Sequence, residues 1–252
     1  MKNLFLKLGL LPALILAATT FVSCGGNEPE LPDNSVISAR NVVAVGNGNI
    51  NDIASVRAGF LNTIWSDRFP VLRYEILGEA PFQNSGFTMQ LPATLPDNFL
   101  RLVTDLFPDF AEITVTGNSN ARWLPGIDLV AFDESGNEIG VFNLVGEIDI
   151  ENRTGTTVRW VYVDSNVSVI VPNTATRWGQ TFVYYTAANL NLRKGWNIVY
   201  ATISVENIEN ISHITTTLTT QRPSGVFFAW TFISLEDEFP FSLLDGFDFF
   251  DR

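Results

Sequence analysis

Turn clusters at close, even intervals limit this chain more than any other feature of it. From Val36 onward, short runs rich in Val, Ile, Thr and aromatic residues are broken roughly every 8–12 residues by Gly, Asn, Asp, Ser or Pro. Val36 to Val45 stops at Gly46-Asn47-Gly48-Asn49, and Ile53 to Phe60 alternates before the next break. Val71 to Leu77 sets Leu72, Tyr74 and Ile76 on one face, the face expected to be buried. Phe87 to Leu91 follows the turn Pro81 to Gly86. Further strands are expected at 112–116, 127–132, 139–144, 157–163, 167–171, 181–186, 190–192, 197–205, 214–220 and 226–233. Asp133 to Glu138 reads as a hairpin loop. Asp164-Ser165-Asn166 reads as another, pairing the runs on either side. Strands this close leave no room for crossover helices, so the fold class is all-β, built of antiparallel β-sandwich modules.

One short helix is expected. Pro96-Asp97 introduces Phe99, Leu100, Leu102, Val103 and Leu106 at near-helical spacing, and Pro108 ends it. The domain division expected from these signals is a β-sandwich-like module with that helix over 36–112. A second sandwich or barrel follows over 113–234, the break lying near the cluster Gly117-Asn118-Ser119-Asn120.

The single cysteine, Cys24, means that no internal disulfide forms and the core alone must hold the fold. Its setting is informative. Lys2 and Lys7 precede an apolar stretch from Leu8 to Val22, and Ser23-Cys24-Gly25-Gly26 follows. A basic start, a short apolar core and a small residue before the cut describe a signal peptide over 1–23. The apolar run is short for a membrane span. A cysteine at the cut is the attachment point of a bacterial lipoprotein's diacylglycerol and palmitate, and several acyl chains anchor stably where one does not. Residues 24–35 are polar, carry two prolines and read as a flexible tether. The expected address is the bacterial cell envelope, at the outer membrane, with the membrane itself as partner through the lipid. The leader takes two positive charges with it, so a net charge of −12 becomes −14. That sign and size argue against nucleic acid as a partner, since phosphate binding needs clustered Lys and Arg.

Val36 to about Leu100 resembles the small prealbumin-like sandwiches of bacterial surface proteins, on Ile53-Ala54-Ser55-Val56-Arg57-Ala58 and Asn84 to Pro92. Asn189 to Tyr200 and Arg222-Pro223-Ser224-Gly225-Val226 resemble recurring segments of Bacteroidota cell-envelope lipoproteins. The resemblance implies a fold and an address, and no activity.

No catalytic constellation stands out, so the chain is expected not to be an enzyme. His213 is the only histidine, too few for a zinc site of nitrogen and sulfur ligands, and no Gly-x-Ser-x-Gly elbow accompanies it. Glu147, Asp149 and Glu151 alternate onto one strand face. Such a face can hold calcium or serve as the carboxylate pair of a glycosidase, and is more commonly just solvated. No metal or other cofactor is expected.

Twenty Phe, six Trp and five Tyr are the more telling resource. Most are expected to fill the core. Trp160 and Tyr162 share one face of their strand, with Val161 and Val163 on the other. Trp65, Trp123 and Trp178 are singled out as loop rings able to stack on a sugar, because loops on a rigid scaffold carry recognition. The tail 235–252 interleaves Phe239, Phe241, Leu243, Leu244, Phe247, Phe249 and Phe250 with acids. Leaving such side chains in water costs ~1.5–3 kcal/mol each, so the tail is expected to dock, on this chain or on a partner. The functional expectation is a binding or accessory protein whose partner is a glycan or an envelope protein. The alternative is a carrier of a small apolar ligand in a lipocalin-like barrel.

Overall fold

A computed structural model describes residues 34–46, 48–65, 70–106, 112–149, 153–178, 182–208 and 211–235. Cys24, the leader, the tether as far as Asp33, Glu151 and the tail beyond Leu235 lie outside them. Among the described residues the elements are β1 (Val36–Ala39), β2 (Val43–Val45), β3 (Ser55–Trp65), β4 (Pro70–Pro81), β5 (Phe87–Gln90) and β6 (Arg101–Leu102). They continue with β7 (Thr114–Gly117), β8 (Arg122–Leu124), β9 (Asp128–Phe132), β10 (Glu138–Asp149) and β11 (Thr154–Val163). The last five are β12 (Val167–Trp178), β13 (Phe182–Leu192), β14 (Gly195–Ile208), β15 (Ile211–Thr219) and β16 (Ala229–Ser234). The protein is all-β and consistent with a sandwich.

β1 and β5 form a two-stranded sheet, and the other strands one large sheet running β4-β3-β9-β10-β11-β14-β15-β13-β12-β7. Its path starts at β4 and ends at β7 without returning, so the described strands close no barrel. The sheet also runs through the boundary expected at 112/113, because β3 pairs with β9 from Ser55↔Phe132 to Gly59↔Asp128.

The sheet instead curls around two cores. The first is aromatic: Trp160, Tyr162, Trp196, Trp230, Phe60, Phe87, Phe142 and Phe232, closed over by Ile37, Ala39 and Met89 of β1 and β5. Trp160 stacks on Trp230 at 5.7 Å. The second is aliphatic apart from Trp123: Val161, Val163, Val167, Val169, Val171, Leu190, Leu192, Val199 and Leu218. β11 and β14 stand between them. Alternation turns Trp160, Tyr162 and Trp196 to the aromatic core and Val161, Val163 and Val199 to the aliphatic one, as the face division in the sequence implied. The buried indoles are satisfied where they meet backbone, Trp196 Nε1 donating to Pro92 O at 2.8 Å and Trp230 Nε1 to Ser38 O at 3.1 Å.

Three local expectations are corrected. The helix over 96–106 is replaced by two 3-10 turns, Asp97–Phe99 and Val103–Leu106, flanking β6. Leu100 belongs to the aromatic core and Val103 to the aliphatic one, a split that a single helical stripe cannot serve. The backbone bonds go sideways instead, with Arg101 opposite Trp123 and the Val103 amide on Ala121 O. The turn 164–166 is no hairpin: β11 pairs with β10, β14 and β8, and β12 with β13 and β7. It carries the chain across the aliphatic core, which both flanking strands line. Third, Ile76 is 54 % exposed and Tyr74 half-buried. A bulge against Ala58/Gly59 adds a residue to β4, and Leu77 is the one packed on the aromatic core.

Candidate functional site

Of the side chains singled out from sequence, those of Trp123, Asp149 and His213 are among the described residues, and they belong to three different strands, β8, β10 and β15. Trp123 lies in β8, 1 % exposed, so it is a core ring and not a loop ring. Its neighbour positions in β8 carry the chain between the two cores, which is why a stretch free of strand periodicity still buries it. Trp65 and Trp178 are the last residues of β3 and β12, opposite Pro70 and Phe182. Both therefore sit at strand ends, correcting the loop assignment, and their side chains lie outside the described residues. Glu147 has its side chain outside them too. Asp149 ends β10, half-buried and opposite Thr154, and a register shift between Val145 and Ile148 breaks the simple alternation assumed for the acidic face. Among the described residues no group of three His, Cys, Asp or Glu side chains is placed to hold a metal ion.

What the fold does assemble is a polar sheet face. Along β15, alternation directs Ile214, Thr216 and Leu218 inward and His213, Thr215, Thr217 and Thr219 outward. The neighbouring strands supply matching rows. Thr154, Ser204, Thr215 and Tyr185 stand side by side across β11, β14, β15 and β13, and Asp149 extends that row onto β10. Thr156, Thr202 and Thr217 form the next row, with Thr156 Oγ1 and Thr202 Oγ1 2.9 Å apart. Glu206 stands opposite His213 in a third. Strands ~4.8 Å apart and same-face residues ~6.8 Å apart make this a grid of donors and acceptors.

His213 is no loose edge residue. β15 lies between β14 and β13, and the imidazole stacks on Tyr185 with centroids 5.8 Å apart and an 18° tilt. Tyr185 Oη lies 3.3 Å from His213 Nδ1. Ser212 Oγ donates to Asn207 Oδ1 at 2.9 Å on the same end of the sheet.

The loop from Gln221 to Phe228 bounds this face. It crosses from β15 to β16 over β14 and β10: Phe228 packs on Tyr200 at 5.4 Å, and a Cβ on Gly146 would come within 2.7 Å of Val226. The Arg222 guanidinium lies 5.3 Å above the Phe228 ring. Phe227, between two anchored neighbours, is left 89 % exposed. Neither the grid nor Phe227 was singled out from sequence. The Thr-rich run 215–220 carried the first signal, and the turn Pro223-Ser224-Gly225 ahead of two phenylalanines the second.

Elsewhere, charged groups serve the fold. Arg122 bridges Asp97 at 2.9 Å and Asp164 at 3.3 Å. Burial pushes the Asp164 carboxyl up. Hydrogen bonds from the Arg122 amide, the Ser165 hydroxyl and the Arg122 guanidinium outweigh that and hold it below its ordinary value. Tyr74 is pushed well up, first by burial and then by the charges of Asp128 and Glu138, so its hydroxyl stays protonated. Comparison of the chain with family models, with curated proteins and with solved structures finds no match in any of the three.

Proposed function

We propose that this is a lipid-anchored cell-envelope protein that binds a neutral glycan on the outward face of β14, β15 and β13. One observation carries the reading: Thr202, Ser204, Thr215, Thr217, Tyr185 and His213 share that face, with Phe227 exposed in the loop that bounds it. Hydroxyls and an imidazole spaced by the sheet suit the ring hydroxyls of successive sugars. An exposed aromatic ring offers the apolar stacking surface that sugar faces seek. The sandwich holds the strands rigid, so a ligand orders little of the protein on binding. Anchoring through Cys24, at the end of the leader described above, supports a position where envelope or extracellular glycans are met.

The test titrates the soluble form, residues 25–252, with a glycan panel and follows intrinsic fluorescence. One glycan class binds, and Tyr185→Ala and Thr217→Val each weaken it about tenfold or more, as loss of paired hydroxyls does. The Cys24→Ser full chain leaves the membrane fraction and retains that binding. Absence of binding to every glycan, or binding indifferent to both variants, overturns the reading in favour of an envelope-protein partner.

A further inference from the structure

The polar face of β14, β15 and β13 does not stop at β13. Register carries it over β12 to β7, with Thr219, Asn189, Ile170 and Thr114 in one row across β15, β13, β12 and β7. Asn191, Ser168 and Thr116 make the row beside it. Alternation fixes their direction, since Leu190, Leu192, Val167 and Val169 belong to the aliphatic core. Asn189, Asn191, Thr114 and Thr116 are exposed. Ser168 Oγ donates to Asn191 Oδ1 at 3.3 Å, which holds that amide in place before anything binds.

These rows carry no charge, and neither do Thr202 with Thr217 and Ala187, nor Ser204 with Thr215 and Tyr185. Charge enters in the row beyond, which by register holds Glu206, His213 and Arg177. A soluble surface ordinarily draws roughly a quarter to a third of its residues from Asp, Glu, Lys and Arg. This chain has 27 acids and 15 Lys and Arg to place, and five neighbouring strands keep them off this face. A charge covered by a ligand that has none loses its water unpaired, at high cost. The face therefore suits an uncharged partner rich in hydroxyls. A second copy of this chain fits poorly, since each brings a net charge of −12.

We propose, building on the glycan reading above, that the ligand is an uncharged linear polysaccharide lying across the strands from β14 to β7. That span is four strand spacings, ~19 Å, and an extended pyranose chain advances about one spacing, ~4.8 Å, per sugar. Each sugar then meets a hydroxyl or amide of one strand, and about five sugars fill the face. Apolar groups stand toward both ends: Phe227, 89 % exposed, in the loop that packs on Tyr200 of β14, and Ile170, 49 % exposed, on β12. Sugar rings seek such surfaces.

Calorimetry on the soluble form with neutral gluco-, manno- and xylo-oligosaccharides of increasing length, and with polygalacturonate, tests this. In the series that binds, affinity rises about tenfold or more from the disaccharide to about five sugars and then levels off. Thr114→Lys and Asn189→Asp, both at exposed positions, each weaken the longest oligosaccharide about tenfold with little change in Tm. Polygalacturonate, charged on every sugar, does not bind. A disaccharide that binds as tightly as the longest chain overturns the inference and leaves the glycan reading standing. So does long-chain binding indifferent to both variants, or polygalacturonate binding as tightly as a neutral chain. No binding by any of these sugars removes both.

Discussion

At Gly59, a Cβ would come 2.5 Å from Glu75 O and 2.6 Å from the Tyr74 ring, which lies across β3 and points its hydroxyl at Asp128 O, 3.5 Å away. Only a hydrogen at that position lets Tyr74 lie flat over the strand beside it. Gly59→Ala therefore forces the β3–β4 pair apart at its bulge and costs roughly 2–3 kcal/mol, in the range of overpacking substitutions. Denaturant unfolding of the soluble form checks it, and an unchanged midpoint would show that Tyr74 moves aside freely. The same scale explains Trp123. A tryptophan beside Arg122 and near Pro125 has the local look of a loop ring, and its burial is imposed by Val163, its cross-strand partner in β11. No pattern within a few residues of Trp123 carries that information.

Among the elements, the turn between β11 and β12 decides the most. A hairpin there would have laid β12 beside β11 and left one face of each in water. Asp164 and Asn166 prevent it by taking backbone donors from outside the turn, Asp164 from Arg122 N at 3.0 Å and Asn166 from Lys194 N at 2.8 Å. The Asp164 carboxyl sits below the ordinary 3.8 in the folded chain, so folding favours its ionised form. Its contribution is complete above about pH 4 and is lost as pH falls through the lowered folded value. Asp164→Asn lowers Tm at pH 7, and the gap from the native chain narrows steadily below pH 4. Parallel melting curves across that range would remove Asp164 from the acid response. The expected helix failed at this scale too, because helical spacing of Phe99, Leu100, Val103 and Leu106 says nothing of whether one core or two will receive them.

For the molecule as a whole, the shared wall of β11 and β14 couples the cores. Neither can open without stripping one face of the same two strands, so the described residues should melt in one transition. Trp160→Ala, in the aromatic core, costs roughly 3–5 kcal/mol, and Val163→Ala, in the aliphatic one, roughly 2 kcal/mol. By calorimetry each variant shifts a single peak. Two separated peaks in either would mean that the cores fold independently and that β11 belongs to one alone.

What the chain determined by itself is what short-range physics reaches. Period-two alternation between turn clusters set the all-β class, the loop between β9 and β10, and the two faces of β11, since side-chain direction in a strand depends only on parity. What the tertiary structure alone decided is which strands become neighbours. The pairing of β13 with β15, 30 positions apart in sequence all along its register, from Phe182↔Ser212 to Asn189↔Thr219, brings Tyr185 beside His213. It also sets Tyr185 beside Thr215, joining β13 to the polar face that the adjacent strands β14 and β15 build. Such pairings depend on burying two cores at once, a cooperative balance of apolar area and hydrogen bonds summed over the whole sheet. No local run of residues encodes that balance, and the candidate site exists only because of it.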